Sequence, residues 1–330
     1  MNALQKIGTF GAALAACFAA AYGVGNAVTP VDTDPEPAAH ADAGHGDTPE
    51  NAEDAEDAGG AGGTGQTTGD NTTPGGLQIS QDGYTLDLGT QRVAADRASE
   101  LRLTIRDGNG RPVTEFAREH EKELHLIVAS RDLTTFRHLH PERAADGTWS
   151  TRATLPEPGG YRVFADFRPA AEKEGLTLGA DLAVSGPYEP TALPPVQATA
   201  SVDGYEVELS GALKAGEESE LAFTVTRDGR PVTDLEPYLG AYGHLVALRS
   251  GDLAYLHVHP HEEATGTAVS GSPEVAFTAA APSAGDYRLF LDFKVGGEVR
   301  TAAFTVTAGE RPAGEPTRNA PADEEAPHDH

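Results

Sequence analysis

The sequence predicts an all-β protein of two tandem immunoglobulin-like β-sandwich domains that follow an amino-terminal transmembrane helix and a disordered acidic linker. Three observations predict this class: one stretch of sequence occurs twice, each copy carries about seven short strand signals, and an apolar amino-terminal run precedes a segment without Lys or Arg. A chain of 330 residues can hold two domains that each bury a core. The expected divisions are an anchor or signal at 1–29, an acidic linker at 30–76, repeat one at 77–185, a proline-rich connector at 186–195, repeat two at 196–307 and a disordered tail at 308–330.

The duplication is visible as matching segments that follow one another in the same order. Residues 110–114, Gly-Arg-Pro-Val-Thr, return unchanged as residues 229–233. Further matched pairs are residues 82–84 with 203–205, 99–101 with 219–221, 125–126 with 244–245, 138–141 with 257–260, and 161–167 with 287–293. Repetition on this scale indicates one domain present twice.

Strand signals follow one another at short intervals in repeat one. The expected strands cover residues 84–88, 101–105, 123–129, 135–140, 149–155, 161–167 and 176–184. Asp-Gly, Gly-Asn-Gly and Pro-Gly-Gly sequences between them favour turns. This pattern is typical of an immunoglobulin-like sandwich. No alternation of strands with helices is visible, which excludes a nucleotide-binding α/β fold.

The amino terminus carries the membrane signal. Residues 7–28 are uncharged, Lys6 precedes them and acidic residues follow, so we expect the amino terminus in the cytoplasm and the domains outside. A run of this length spans the roughly 30 Å hydrocarbon layer, which favours an uncleaved single-pass anchor in the cell membrane. A cleaved signal peptide and a lipoprotein are the alternatives, because residues 14–17, Leu-Ala-Ala-Cys, resemble a lipobox. All three place the domains outside the cytoplasm.

The charge and the single cysteine exclude several kinds of partner and site. The formal net charge of −27 argues against nucleic acid or an anionic membrane surface as a partner. Much of this charge lies in the linker and the tail, whose composition predicts disorder. The histidines in these two segments are expected to bind metal weakly at most. Because Cys17 is the only cysteine, neither repeat can form a disulfide or a thiolate metal site.

Three histidines in repeat one are expected to converge on one patch. His125 precedes His138 by thirteen positions, and His140 follows two positions later. A hairpin with a two-residue turn at Arg131-Asp132 would place His125 directly opposite His138, with Cβ atoms about 5 Å apart on one face. His140 shares that face because side chains alternate along a strand.

The same spacing recurs in repeat two, at His244, His257 and His259, with the equivalent turn at Ser250-Gly251. Zinc and copper both accept several imidazole ligands, so the sequence predicts one copper or zinc site per repeat. Asp166 and Asp292 are charged residues in apolar strands, and we expect each to be a fourth metal ligand or to orient a histidine. The alternative hypothesis is that the histidines are structural and bonded to carbonyl or carboxylate oxygens. His120 and His261 are expected at the surface.

The chain is not predicted to be an enzyme. It lacks the GxSxG, Walker, HExxH and CxxC motifs, and no general base is evident beside the histidines. The main hypothesis is therefore extracytoplasmic capture or buffering of a metal ion. The second is a cell-surface module that binds an extracytoplasmic protein partner, and a variant of it responds to pH through histidine protonation.

The anchor, the sandwich repeats and the segments His125-Leu126 and His138-Leu139-His140-Pro141 resemble bacterial membrane-anchored or secreted proteins described as heavy-metal-associated, near the YtkA-like and CopC-like sandwiches. This resemblance covers both repeats and implies extracytoplasmic handling of copper or another metal. One departure matters. CopC-like copper binding uses a histidine at the mature amino terminus, and this chain has none beside its domains.

Overall fold

The computed structural model describes residues 73–256, 258–261, 264 and 269–309, with only the backbone of His259. The expected anchor, almost all of the acidic linker, the tail from residue 310, and His257 lie outside the described residues. Among the residues that are described, no helix has the length and apolar character needed to cross a membrane.

Repeat one contains eleven described strands: β1 (Ser80–Gln81), β2 (Tyr84–Leu88), β3 (Arg92–Ala94), β4 (Ala98–Arg106), β5 (Phe116–Ala117), β6 (Leu124–Ser130), β7 (Phe136–Leu139), β8 (Glu142–Arg143), β9 (Thr148–Thr154), β10 (Gly159–Pro169) and β11 (Leu176–Ser185). One sheet has the order β1-β2-β4-β9-β8, and the other has the order β3-β11-β10-β6-β7 with β5 paired to β10. Strand β3 runs parallel to β11, while the other pairs are antiparallel. Each of the seven expected strands is present.

Repeat two has the same plan within its described residues: β12 (Thr199–Val202), β13 (Tyr205–Gly211), β14 (Glu218–Arg227), β15 (Arg230–Pro231), β16 (Gly243–Arg249), β17 (Tyr255–Leu256), β18 (Val258–Pro260), β19 (Glu274–Ala280), β20 (Gly285–Val295) and β21 (Glu298–Ala308). One sheet has the order β12-β13-β14-β19-β18 with β15 on β14, and the other has the order β17-β16-β20-β21. The prediction of an all-β chain with two immunoglobulin-like sandwiches is confirmed.

A tyrosine near the start of each long central strand forms a hydrogen bond to the backbone of the loop before that strand. The hydroxyl of Tyr161 donates to the carbonyl of Glu157 at 2.8 Å, and the hydroxyl of Tyr287 donates to the carbonyl of Ser283 at 2.7 Å. A bond from this position to the backbone a few residues upstream is the tyrosine corner of immunoglobulin-like sandwiches. Both repeats therefore have this characteristic feature of the fold.

Strand β6 is buried on both faces because it separates two different cores. Leu124, Leu126 and Val128 point into the sandwich of repeat one. Ile127 and Ala129 point the other way, into a cluster that both repeats share. The alternation of side chains along a strand therefore turns one residue set inward and the other toward the neighbouring repeat.

The repeats are joined by an apolar interface. Its buried members are Ile127, Ala129, Leu133, Phe136, Phe164, Val246, Leu248, Leu253 and Phe290. Phe136 stacks on Phe290 with centroids 4.1 Å apart, and Phe164 contacts Tyr255 with centroids 5.6 Å apart. Since Phe136 corresponds to Tyr255 and Phe164 to Phe290 in the duplication, the second contact repeats the first with the repeats exchanged.

The last residues of the expected acidic linker belong to the fold. The carbonyl of Gly76 accepts from Nε of the buried Arg162 at 2.7 Å, and the carbonyl of Gly75 accepts from the amide of Tyr255 at 2.9 Å. Gly76 has φ +73°, and a Cβ there would lie 2.4 Å from the ring of Phe164. The segment is therefore glycine because the backbone passes against an aromatic ring.

Candidate metal centre between the repeats

The hairpin that carries the histidines differs in register from the prediction. Ile127 pairs with His138, and Leu126 pairs with Leu139, so the loop has four residues rather than two. The carboxylate of Asp132 accepts from the amide of Thr134 at 3.1 Å, and Leu133 adopts φ +58°. The expected two-residue turn at Arg131-Asp132, and with it the direct opposition of His125 and His138, is wrong.

The equivalent turn in repeat two is corrected in the same way. Ala247 pairs with Leu256, and the amide of Arg249 donates to the carbonyl of Ala254 at 2.9 Å. Four residues therefore separate the paired positions, and Ser250-Gly251 are only the first two of them. The shift moves the pairing by two positions in each repeat. Because side chains alternate with a period of two, His125, His138 and His140 keep a common face.

The triad of repeat one consists of His125, His138 and His140. One ligand-type nitrogen from each lies within 4.8 Å of the others. The triad is on the outer face of its sheet, beside the apolar interface between the repeats. For repeat two, His257 and the side chain of His259 lie outside the described residues, so the expectation of a second triad stays a prediction.

Hydrogen bonds fix the tautomers of two members of the triad. Nε2 of His125 lies 3.0 Å from the carbonyl oxygen of Glu119, and Nδ1 of His138 lies 2.8 Å from Oδ2 of Asp292. A carbonyl and an ionised carboxylate only accept, so both of these nitrogens carry the proton. The remaining nitrogens, Nδ1 of His125 and Nε2 of His138, face each other at 3.1 Å. In neutral imidazoles both of these nitrogens are lone pairs.

The third member also presents an unused nitrogen. Nε2 of His140 is buried and, within the part of the chain that the structure describes, has no hydrogen-bond partner. The ring centroid of His140 lies 4.8 Å from that of His138 and 5.2 Å from that of His125. A buried polar atom without a partner is costly. A cation between the three rings would satisfy it.

The carbonyl that holds His125 comes from a tight turn. Glu119 and Lys122 bond to each other, and His120 and Glu121 between them have φ values of +48° and +63°. Two successive positive φ values define a type I′ turn, which is strained for residues other than Gly, Asn and Asp. The turn brings the Glu119 carbonyl against the imidazole.

Repeat two builds the same support. Its tight turn spans Tyr238 to Ala241, and Nε2 of His244 donates to the carbonyl of Tyr238 at 2.8 Å. His244 is buried, and its ring centroid lies 6.4 Å from that of His125 across the interface. The first histidines of the two repeats therefore belong to one cluster.

The carboxylate of Asp292, in repeat two, accepts a hydrogen bond from a histidine of repeat one. Its side chain is 4% exposed and bonds to His138, whose side chain is 6% exposed. The hydroxyl of Thr301 donates to the other carboxylate oxygen at 2.5 Å. Asp292 therefore bonds to a histidine, and that histidine belongs to the other repeat. The equivalent Asp166 accepts from the hydroxyl of Thr177 at 2.9 Å and is the Cα neighbour of His125 on the adjacent strand.

Burial keeps His125, His140 and His244 in their neutral form. Desolvation, with a smaller contribution from His138, lowers the pKa of His125 from 6.5 to about 4. Desolvation also lowers the pKa of His140 to about 3 and that of His244 to about 3. Neutral imidazole is the form that binds metal ions.

His120 and His261 are both exposed, as predicted. His120 nevertheless reaches the cluster, with its ring centroid 5.0 Å from that of His244 and 6.1 Å from that of His125. Sequence reasoning missed this neighbour because it lies outside the repeated pattern. Its position directly after Glu119 becomes informative only once the Glu119 carbonyl is known to bond to His125.

A cavity of about 850 Å³ opens beside the cluster. Side chains from both repeats line it, among them His125, His138, Asp166, Arg168, His244 and Tyr255. Two members of the triad, His125 and His138, therefore border this cavity.

The protein is therefore a tandem pair of immunoglobulin-like sandwiches with a histidine cluster at the interface between them. The family model described as Domain of unknown function (DUF8832) matches residues 79–183 and again residues 200–310. These matches cover more than half of the chain, which therefore belongs to this family, with one copy in each repeat. No curated protein matches the sequence.

Solved structures that match the chain include the Escherichia coli adhesin FdeC, at 16% identity, 70% coverage of this chain and a TM-score of 0.22. The Yersinia pseudotuberculosis adhesin InvE matches at 13% identity, 71% coverage and a TM-score of 0.23. The S-layer protein SbsC, domains 4 and 5, matches at 11% identity, 70% coverage of this chain, 98% of its own chain and a TM-score of 0.21. This chain spans 65% of the FdeC chain and 60% of the InvE chain. TM-scores this low carry no argument about function.

Proposed function

We propose that this chain is an extracytoplasmic metal-binding protein that holds a copper or zinc ion between His125, His138 and His140. The observation that carries the proposal is the 3.1 Å distance between Nδ1 of His125 and Nε2 of His138, which are both lone pairs when the rings are neutral. Two such atoms repel each other unless a cation lies between them. The outer nitrogens are already bonded, so the inner nitrogens are left as ligands.

The distance between the inner nitrogens of His125 and His138 suits a first-row transition metal. Metal–nitrogen bonds to imidazole are about 2.0–2.1 Å, so one ion can contact two nitrogens that lie 3.1 Å apart. Nε2 of His140, buried and without a partner among the described residues, becomes a third ligand once its ring moves inward. The movement is needed because the three ligand-type nitrogens lie within 4.8 Å of one another, whereas two nitrogens bound to one ion lie at most about 4.2 Å apart. A carbonyl or a carboxylate on the opposite nitrogen of a ligating histidine is the usual support for such a site. Zinc and copper(II) both favour imidazole, and copper(II) binds more tightly in the usual divalent order.

The extracytoplasmic location rests on the amino-terminal sequence. The uncharged run at 7–28, with Lys6 before it and acidic residues after it, supports an anchored chain whose repeats lie outside the cytoplasm. The resemblance to heavy-metal-associated sandwich proteins agrees with this location and with metal capture or buffering. We propose binding rather than catalysis, because the site as described consists of ligands and their supports.

A second candidate function needs no metal. If the inner nitrogens share an extra proton, a continuous chain of hydrogen bonds runs from the Glu119 carbonyl through His125 and His138 to Asp292. The histidines would then be structural and would join the repeats of a cell-surface module that binds a protein partner. The observation that favours this candidate is that both outer nitrogens already have acceptors without an ion.

Titration of the purified full chain with Zn(II) and Cu(II), by calorimetry and by thermal unfolding, separates the two candidates. A site filled at one hundred times its dissociation constant stabilises the fold by about 2.7 kcal/mol. We expect His138→Gln with His140→Gln to remove one bound ion and its share of this gain. His261→Gln, which changes an exposed histidine outside the cluster, is the matched control and should leave it intact. Absence of any ion-dependent stabilisation of the unaltered chain near pH 7.5 would support the second candidate instead.

A further inference from the structure

We infer that the ion site belongs to both repeats: Asp292 of repeat two is a positioning residue for the His138 ligand of repeat one, so that ion binding and docking of the repeats are coupled. This inference rests on the proposed function and deepens it. It assigns a role to a residue that touches neither the ion nor the other two ligands.

The first step of the argument is the fixed tautomer. The Asp292 carboxylate holds the proton of His138 on Nδ1, and this leaves Nε2 as a lone pair directed at His125. Thr301 donates to the other carboxylate oxygen at 2.5 Å and so limits rotation of the acid. In the absence of the acid, the imidazole is free to exchange tautomers or turn, and a fraction of molecules would present N–H rather than a lone pair to the ion.

The second step is the position of the acid in the chain. The three ligands lie on or next to β6 and β7 of repeat one, whereas Asp292 lies on β20 of repeat two. Two residues before each partner, Phe136 and Phe290 stack on each other in the same interface. Separation of the repeats would therefore remove the acid from His138. The docked state accordingly binds the ion more tightly than the separated state.

The third step is reciprocity. If docking raises the affinity for the ion by some factor, then the ion strengthens docking by the same factor. Loss of a carboxylate that supports a ligating histidine lowers metal affinity by about 10- to 100-fold in general. The ion thus stabilises the docked arrangement of the repeats, although all three ligands come from repeat one.

The test compares Asp292→Asn with Asp286→Asn in the full chain. Asp286 is a matched control because it lies on the same strand, β20, and accepts from Thr307 at 2.7 Å much as Asp292 accepts from Thr301. We expect Asp292→Asn to weaken Zn(II) binding about 10- to 100-fold and Asp286→Asn to leave it unchanged. Nitrogen NMR of the imidazoles without Zn(II) should show a single Nδ1–H tautomer for His138 in the control and a mixture in Asp292→Asn.

Hydrogen exchange reports the coupling directly. Zn(II) should slow amide exchange in β20 of the unaltered chain, and in Asp292→Asn it should slow exchange in repeat one only. Thr301→Val, which keeps the carboxylate but removes its hydrogen bond, gives an intermediate affinity and replaces Asp292→Asn if that variant does not fold. Equal Zn(II) affinity and equal protection of β20 in all variants would overturn the inference and leave the proposed function standing. Failure of the unaltered chain to bind Zn(II) would overturn both.

Discussion

The ring of Phe136 in repeat one stacks on the ring of Phe290 in repeat two, with centroids 4.1 Å apart and planes 7° from parallel. Both rings are buried, and each is covered in part by the other repeat. Loss of this contact should therefore show how much the packing of one sandwich on the other contributes to the stability of the chain.

Replacement of Phe290 by Ala should destabilise the chain by about 3–5 kcal/mol, because a large buried ring leaves a cavity. In a double-mutant cycle, Phe136→Ala and Phe290→Ala should show a coupling energy of about 0.5–1.5 kcal/mol from the stacked pair. Urea unfolding measures both quantities. The control cycle pairs Phe136→Ala with Phe223→Ala, which lies in the separate core of repeat two and should be additive.

Gly76→Ala should destabilise the fold by more than 1 kcal/mol, since the new Cβ must displace the ring of Phe164 and the backbone must keep φ at +73°. Gly83→Ala is the matched control, because Gly83 also has a positive φ, +81°, but a Cβ there would meet no atom within 4 Å. The difference between the two variants isolates the crowding at Gly76. Equal destabilisation in thermal unfolding would contradict this interpretation.

Tyr161→Phe and Tyr287→Phe should each cost about 0.5–1.5 kcal/mol, the usual net contribution of one hydrogen bond. Each change removes only the hydroxyl that holds the loop before a central strand. Tyr188→Phe is a suitable control, because Tyr188 is 48% exposed. Free energies of unfolding from denaturant titration test this, and a loss confined to one repeat would show that the two corners are not equivalent.

The ion-free chain should lose stability as the pH falls below about 6.5. The folded-state pKa values of His125 and His244, about 4 and about 3, lie below the ordinary histidine value of 6.5, so the unfolded chain binds protons at a pH where the folded chain does not. The stabilisation is complete above pH 6.5 and is lost progressively as the pH falls toward 4, by about 1.4 kcal/mol per pH unit and histidine. Urea midpoints at pH 7.5 and pH 5 measure the loss. A midpoint that does not change between them would contradict the burial argument.

The strands were predictable from sequence because alternation and turn residues are local signals. The expected strand at 84–88 coincides with β2, and that at 149–155 is shifted by a single residue from β9. The common face of His125, His138 and His140 could also be predicted, since it depends only on the parity of their positions. An error of two residues in the turn left that parity unchanged.

The turn itself was harder to predict because it depends on an unusual backbone conformation. Leu133 and Leu253 adopt φ values of +58° and +65°, and leucine gives no local sign of this. The partner of His138 was also beyond local reasoning. Asp166 and Asp292 occupy equivalent positions in the duplication, and only the packing of one repeat on the other determines which acid reaches which histidine.

The exchange of equivalent contacts between the repeats has a consequence for the single domain. A surface on which Phe136 meets Phe290 while Tyr255 meets Phe164 is complementary to itself. A lone copy of this domain would leave that surface bare and could cover it by pairing with an identical molecule. The present chain resembles such an isologous homodimer whose two subunits are joined by the connector at 186–195. The connector keeps the two copies paired at any protein concentration, whereas separate subunits would dissociate on dilution.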